Sequence, residues 1–349
     1  MINTRGYAAA AARTPLAPFA FQRRDPGPQD VVLDLLYCGI CHSDIHYAHN
    51  DWGISRYPLV PGHEIVGRVT QVGSGVTKFS RGDLAAIGCL IDSCRSCRSC
   101  RAGDEHFCEQ RPTPTYGGVE RGTGNATYGG YSDNYVLDQH FALKISPKLD
   151  PAATAPLLCA GITTYSPLRH WGVSAGQKVG VVGLGGLGHI GIKLARAMGA
   201  HVVAFTTSPG KFEDAQRLGA HEVVLSKDSK QMQRHFGSFD FILDTVSAQH
   251  DVNAYVALLG RDRTLVQIGM PAQPIAVSAM ALAYGRKRIA SSMIGGLRET
   301  QEMLDFCAEH QIVSDIELIA IQQVNEAYER VLRNDVKYRF VIDLASLRR

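Results

Sequence analysis

Tryptophan is scarce in this chain, with two in 349 residues, and aromatic residues make up only 8% of it. No apolar run reaches the length that crosses a bilayer, so no transmembrane helix is expected. Neither charge is in excess: 36 Lys and Arg stand against 33 Asp and Glu, a net charge of +3. That near balance excludes the basic footprint of a nucleic-acid or membrane-surface binder. Internal repeats and low-complexity linkers are absent, which excludes a repeat array. The stretch from Met1 to Ala12 is too short, and too polar at its start, to read as a signal peptide. What remains is an ordinary globular composition, 45% hydrophobic and 20% charged, with length for two domains.

Cysteine is not scarce. There are nine, an odd count that fits metal-bound thiolates in a reducing compartment better than a disulfide framework. A cytoplasmic protein is therefore expected. Cys94, Cys97, Cys100 and Cys108 fall within fifteen residues as C-x2-C-x2-C-x7-C. Zinc takes four ligands at tetrahedral corners and thiolates are among its preferred donors. The two-residue gaps let one loop present three sulfurs, and the fourth arrives after a turn. Four thiolates on Zn2+ leave a net negative charge, which Arg95, Arg98 and Arg101 can offset. A disulfide-rich loop is the bland alternative. Ferredoxin-type iron–sulfur ligation is another. The single cluster, its longer last gap and the lack of a proline after Cys108 argue against the latter.

The organisation changes near residue 150. Before it lie strand-like runs broken by glycines: Val31 to Cys38, Glu64 to Val72 and Asp83 to Ile87. After it, strand and helix alternate. Strands are expected at Val179 to Val182, His201 to Phe205, His221 to Leu225, Phe239 to Val246 and Leu265 to Gly269. Helices are expected at His189 to Met198, Lys211 to Leu218, Asp251 to Leu259 and Glu299 to Glu309. This alternation predicts an α/β architecture with a doubly wound parallel sheet covered on both faces. The last strand, Tyr338 to Asp343, is expected to return to the first domain. The expected division is 1–150, completed by about 300–349, and 151–299.

The run Gly183-Leu184-Gly185-Gly186-Leu187-Gly188 matches G-x-G-x-x-G, follows a strand and opens a helix, which is the context that gives the pattern meaning. Gly183 allows the tight turn, Gly185 lets backbone approach a pyrophosphate, and Gly188 lets helix and strand pack closely. The helix start meets the phosphate charge with free N–H groups. At the end of the next strand, NAD sites usually carry a carboxylate for the ribose 2′-hydroxyl. Here stand Thr206, Thr207 and Ser208, followed by Lys211. Hydroxyl donors and a positive charge predict NADP(H); ordinary loop polarity and helix capping are the plainer explanation of the hydroxyls.

A second metal-ligand set is dispersed. Cys41 lies in Cys41-His42-Ser43-Asp44-Ile45-His46, His63 lies in Gly62-His63-Glu64, and Cys159 precedes the nucleotide-binding half. Cys, His and Cys with one position open is an arrangement of catalytic zinc. Two thiolates only neutralise the ion, so it can still polarise a carbonyl, whereas a closed four-thiolate site cannot.

With these motifs the sequence resembles the zinc-dependent medium-chain alcohol dehydrogenase superfamily, most closely its cinnamyl alcohol dehydrogenase-like branch. The resemblance rests on CHSDIH at 41–46, the run Gly62-His63-Glu64-x2-Gly67-x5-Gly73-x2-Val76, the cysteine quartet, CAGITTYSPL at 159–168 and GLGGLG. It rests also on Gly295-Gly296-Leu297-Arg298-Glu299-Thr300 and the tail Asp335 to Phe340, and so covers essentially the whole chain. It implies a GroES-like β domain carrying two zinc ions, a Rossmann domain carrying NADP(H), and an aldehyde/primary alcohol substrate pair, with reduction as the cellular direction. It implies that Cys41, His63 and Cys159 bind catalytic zinc and that Glu64 can approach or ligate it. Asp44 would orient the zinc-ligating histidine. Ser43 would pass a proton toward the nicotinamide ribose and His46 would relay it to solvent. His42 would contact the pyrophosphate, Thr163, Met293 and Ile294 the nicotinamide, and Trp52 the substrate. The family also implies a homodimer. An NAD-dependent polyol or secondary-alcohol dehydrogenase is the alternative within the fold, and a non-catalytic zinc and nucleotide sensor the alternative outside it. Cys38, Cys89 and Cys307 are left as expected buried thiols.

Overall fold

The computed structural model describes residues 1–348. The chain divides into two compact units, Met1–Cys159 with Gly295–Arg349, and Ala160–Ile294.

In the first unit the strand Asp30–Gly39 organises the rest. Its sequence DVVLDLLYCG is apolar enough to be buried over most of its length, as a strand covered on both faces must be. One edge pairs antiparallel with Ile65–Val72. The other edge is shared: Asp30 to Asp34 pair with Asn134–Asp138, and Tyr37 to Gly39 pair with Arg339–Asp343. The C-terminal strand thus inserts beside the first half of the chain, as the sequence led one to expect. The sheet continues through Leu84–Ile87 and Leu143–Lys144 on one side and Ile316–Ala320 on the other.

Directly after the central strand comes a helix that periodicity did not announce, His42–His49. Its start is specified locally. Cys41 is the N-cap and Asp44, at the third helical position, accepts from the Cys41 backbone N–H at 2.9 Å, the reciprocal half of a capping box. Asn50 closes the helix in the left-handed conformation at φ 58°, a role asparagine tolerates. The unit also carries an N-terminal antiparallel hairpin of Ile2–Ala8 and Ala17–Arg23.

The second unit is a six-stranded parallel sheet. Its spatial order is Glu222–Leu225, His201–Thr206, Lys178–Val182, Phe239–Asp244, Leu259–Gln267 and Arg288–Ser291. This is the doubly wound order of dinucleotide-binding folds, with its switch point between the third and fourth strands. Val182, Val203, Phe205, Phe239, Ile242 and Leu265 pack into its core. Two expectations shift. The strand expected at 265–269 begins at Leu259, which shortens the helix before it to Val252–Val256. The edge strand Arg288–Ser291 is too short and polar to show a period, and was not anticipated.

Candidate active site

The dispersed ligands converge. Donor atoms of Cys41, His63, Glu64 and Cys159 all lie within 4.8 Å of one another, and so do those of Cys94, Cys97, Cys100 and Cys108. Each set has the size and donor chemistry that fits one zinc ion.

In the first set, Cys41 stands at a helix N-terminus, His63 just before Ile65–Val72, and Cys159 directly after the short turn Ala155–Leu158. The Cys41 and Cys159 sulfurs are 3.9 Å apart. The contact with Cys159, helped by His63, holds the Cys41 thiol well below the ordinary thiol range despite its burial. A depressed thiol is a ready metal ligand. Asp44 is fully buried and its Oδ1 faces His63 Nδ1 at 3.4 Å. That contact assigns Nδ1 to the carboxylate and leaves the other ring nitrogen for a metal. The Gly62 N–H also donates to Asp44 at 3.1 Å.

Glu64 is the fourth member, fully buried. Arg339 Nη2 donates to its two oxygens at 2.6 and 2.8 Å, and to the carbonyl of Ile40 at 2.6 Å. Gly39 makes room: a Cβ there would fall 2.0 Å from Glu64 Oε2. Burial raises the Glu64 carboxyl to about 7 even against the pull of Arg339. The carboxylate therefore has two holders available, Arg339 and a metal. Removing the arginine leaves a buried acid without its partner. Arg339→Met is expected to lower unfolding free energy by about 3–5 kcal/mol in urea melts, and Glu64→Gln added to it should recover part of that loss.

Ser43 Oγ lies 3.7 Å from Cys41 Sγ. His46 Nδ1 is 2.9 Å from Asp51 Oδ2, with the side chain 34% exposed. Trp52 is no core tryptophan, being 44% exposed. Its ring meets Tyr47 at 5.2 Å, Tyr47 meets Tyr116 at 5.1 Å, and Tyr116 stacks on His63 at 5.6 Å. An aromatic row thus leads from the metal set to the surface, and its two tyrosines carry no sequence signature. Cys89 corrects one expectation. It is partly exposed rather than buried, and a hydrogen bond with Cys159 lowers its thiol pKa. Cys38 and Cys307 are fully buried as expected.

In the four-cysteine set, backbone N–H groups point at sulfur: Cys97 N to Cys94, Cys100 N to Cys97, and Cys94 N to Cys108, at 3.3 to 3.5 Å. Such donors favour thiolate over thiol, and those of Ser96 and Cys97 bring Cys94 down to about 6. Arg95 is committed to Asp138 at 2.8 Å and Asp92 at 3.1 Å, while Arg98 and Arg101 are exposed.

The glycine turn sits at the carboxyl end of Lys178–Val182. Gly183 has φ +91°, and a Cβ on Gly188 would come within 1.9 Å of the Gly183 carbonyl oxygen. A Cβ on Gly185 would meet nothing within 4 Å, so its backbone is open to an approaching ligand. Gly186 and Leu187 complete the turn. Because the strands are parallel, Thr206, Thr207 and Ser208 and the pair Met293 and Ile294 stand at the same edge of the sheet. Lys211 Nζ donates to the Leu184 carbonyl at 2.8 Å, which brings its charge to the turn. Thr206 is buried and its hydroxyl accepts from Ser208 N at 3.1 Å, so part of its capacity closes the local turn. Thr163 is buried on the helix Ala160–His170, and His42 is exposed at the start of His42–His49.

Residues 27–147 match the alcohol dehydrogenase GroES-like domain, and residues 186–309 match the zinc-binding dehydrogenase domain. The chain is 54% identical over 348 residues to the aldehyde reductase YahK of Escherichia coli, covering 99% of each chain. Among solved structures it matches a cinnamyl alcohol dehydrogenase of Sorghum bicolor with a TM-score of 0.95 at 44% identity, covering 99% of this chain and 98% of that one. It also matches the enzyme abbreviated CAD from Helicobacter pylori, complexed with NADP(H), with a TM-score of 0.92 at 38% identity and 99% coverage of both.

Proposed function

The chain belongs to the zinc-dependent medium-chain alcohol dehydrogenases, in their cinnamyl alcohol dehydrogenase-like branch, and from that premise we propose that it works as an aldehyde reductase at the set Cys41, His63 and Cys159. It is a zinc-dependent oxidoreductase of aldehydes and alcohols that uses NADP(H). The observation that carries the proposed site is the convergence of one imidazole, two thiols and a carboxylate on one point.

When bound, zinc supplies a Lewis acid for the carbonyl oxygen and NADPH supplies the hydride. The two thiolates of Cys41 and Cys159 match the charge of the ion and leave it electrophilic. Asp44 fixes the ring of His63. Arg339 holds the Glu64 carboxylate by hydrogen bonds to both its oxygens, and Glu64 would be a further ligand available to the ion. Ser43, whose hydroxyl lies 3.7 Å from Cys41 Sγ, is assigned to hand a proton to the product oxygen. His46, paired with Asp51 and partly open to solvent, is assigned to exchange that proton with solvent by way of the cofactor ribose hydroxyl.

The aromatic row of Tyr116, Tyr47 and Trp52 supports aldehydes with an apolar or aromatic tail, since such rings stack favourably. A panel of aromatic, medium-chain and short aldehydes with NADPH tests this; the best kcat/KM for short aldehydes would contradict it. Lys211 is assigned to the 2′-phosphate. Lys211→Ala is expected to raise KM for NADPH about 10-fold, the value of one charge-assisted hydrogen bond, with KM for NADH nearly unchanged. Equal effects on both cofactors would remove Lys211 from that role. His42, Thr163, Met293 and Ile294 are assigned to the remaining cofactor contacts.

A homodimer and a cytoplasmic location complete the reading. Met270, Met280 and Tyr284, large apolar side chains exposed on the second unit, support the first. Nine cysteines without a disulfide support the second. Among the described residues no helix is long and apolar enough to cross a membrane.

A further inference from the structure

Asp44 is a buried carboxylate whose neighbours are not all explained by the reaction. A carboxylate offers about four acceptor positions. Three face the Cys41 N–H, the Gly62 N–H and His63 Nδ1. The fourth takes a phenol. Tyr131, fully buried, donates from its hydroxyl to Asp44 Oδ2 at 3.3 Å. Tyr328, only 6% exposed, donates in turn to the Tyr131 hydroxyl oxygen at 3.4 Å.

The two phenols come from distant parts of the first unit. Tyr131 lies in a segment whose backbone is laced to the residues before His63: Gly129 N to Val60 O, Gly130 N to Gly62 O and Tyr131 N to Pro61 O, at 2.8 to 3.0 Å. Its ring passes so close to Gly62 that a Cβ there would lie 2.7 Å from it. Tyr328 lies on the helix Val324–Leu332. The hydrogen bonds therefore run in one direction, from Tyr328 to Tyr131 to Asp44, and end opposite a metal-ligating imidazole. A donor that itself accepts a hydrogen bond is a stronger donor.

We propose that Tyr131 and Tyr328 are positioning residues of the catalytic metal site, a phenol chain that fixes the Asp44 carboxylate and through it the His63 ring. Neither touches substrate or cofactor. Their effect is on how firmly the ion at Cys41, His63 and Cys159 is held, because partners behind a ligating histidine commonly set metal affinity by factors of about 10–100. The proposal rests on the assignment of that site to zinc.

The test is zinc transfer from the intact loaded enzyme to a chromophoric chelator, with the four-cysteine zinc as internal reference. Wild type should release two equivalents in two phases. Tyr131→Phe should speed the first phase about 10-fold or more and leave the second unchanged. Tyr328→Phe should speed it by a smaller factor, and the double variant should be no faster than Tyr131→Phe alone, since Tyr328 reaches Asp44 only through Tyr131. In cobalt-substituted enzyme, Tyr131→Phe should shift the visible ligand-field bands. First-phase rates within twofold of wild type in both variants, or a lowered melting temperature with both phases speeding equally, would overturn the phenol chain. Should Tyr131→Phe fail to fold, Tyr328→Phe decides by the same rates. A wild-type enzyme that binds one zinc only would instead overturn the site assignment beneath it.

Discussion

Cys41→Ser is expected to lower kcat/KM for aldehyde reduction by about a thousandfold or more while the protein stays folded. The size follows from the chemistry at stake: Lewis-acid stabilisation by a bound ion is worth several kcal/mol, and each ~1.4 kcal/mol is tenfold in rate. The serine hydroxyl is a far poorer zinc ligand than the thiolate that Cys159 and His63 hold ready at Cys41. The fold survives because Cys41 is the N-cap of His42–His49, and serine is among the best residues for that position. Metal analysis should show one zinc left per chain, held by the cysteine quartet. Retained turnover with the first site empty would refute zinc catalysis there.

Cys100→Ser is expected to act on stability first. Cys100 and Cys108 are the two buried members of the set, and the Cys100 sulfur lies 3.8 Å from that of Cys94. The loop's own regular structure is slight, the short helix Arg98–Ala102 and the turn Glu105–Phe107, and polar contacts such as Leu297 N–H to Glu105, Arg298 to the Ala102 carbonyl and Arg95 to Asp138 tie it to the rest of the unit. The metal stands in for a core, and structural zinc contributes on the order of 10 kcal/mol or more in small zinc domains. Losing even part of that should lower the melting temperature by about 10 °C and expose the loop to proteases. Molecules that remain folded should keep kcat. Unchanged stability with a selective loss of kcat would reverse the division of labour between the two sites.

The readable parts of this chain were those whose signal is local. The quartet at 94–108 and the glycine turn at 183–188 declare themselves by spacing. Cys41, His63 and Cys159 could be proposed because each sits in a short motif, although only the fold brings them together. The parallel sheet was legible from its alternation of strand and helix. Arg339 as partner of Glu64 was not, because the two are 275 residues apart and nothing near either one marks the pairing. Tyr116, Tyr131 and Cys89 were hidden for the same reason: an aromatic or thiol in a loop has no period, and its neighbours are decided by tertiary convergence. Helix His42–His49 escaped because eight residues are too few for periodicity, though its capping box was present in the letters.

Activity followed against zinc content, as a chelator slowly strips the intact enzyme, distinguishes the two metal sites in one experiment. Aldehyde reduction should fall to nothing in step with loss of the first equivalent, with circular dichroism unchanged, and return when one zinc is restored. Activity that persists through the first equivalent and disappears only with the second, together with the fold, would contradict catalysis at Cys41, His63 and Cys159.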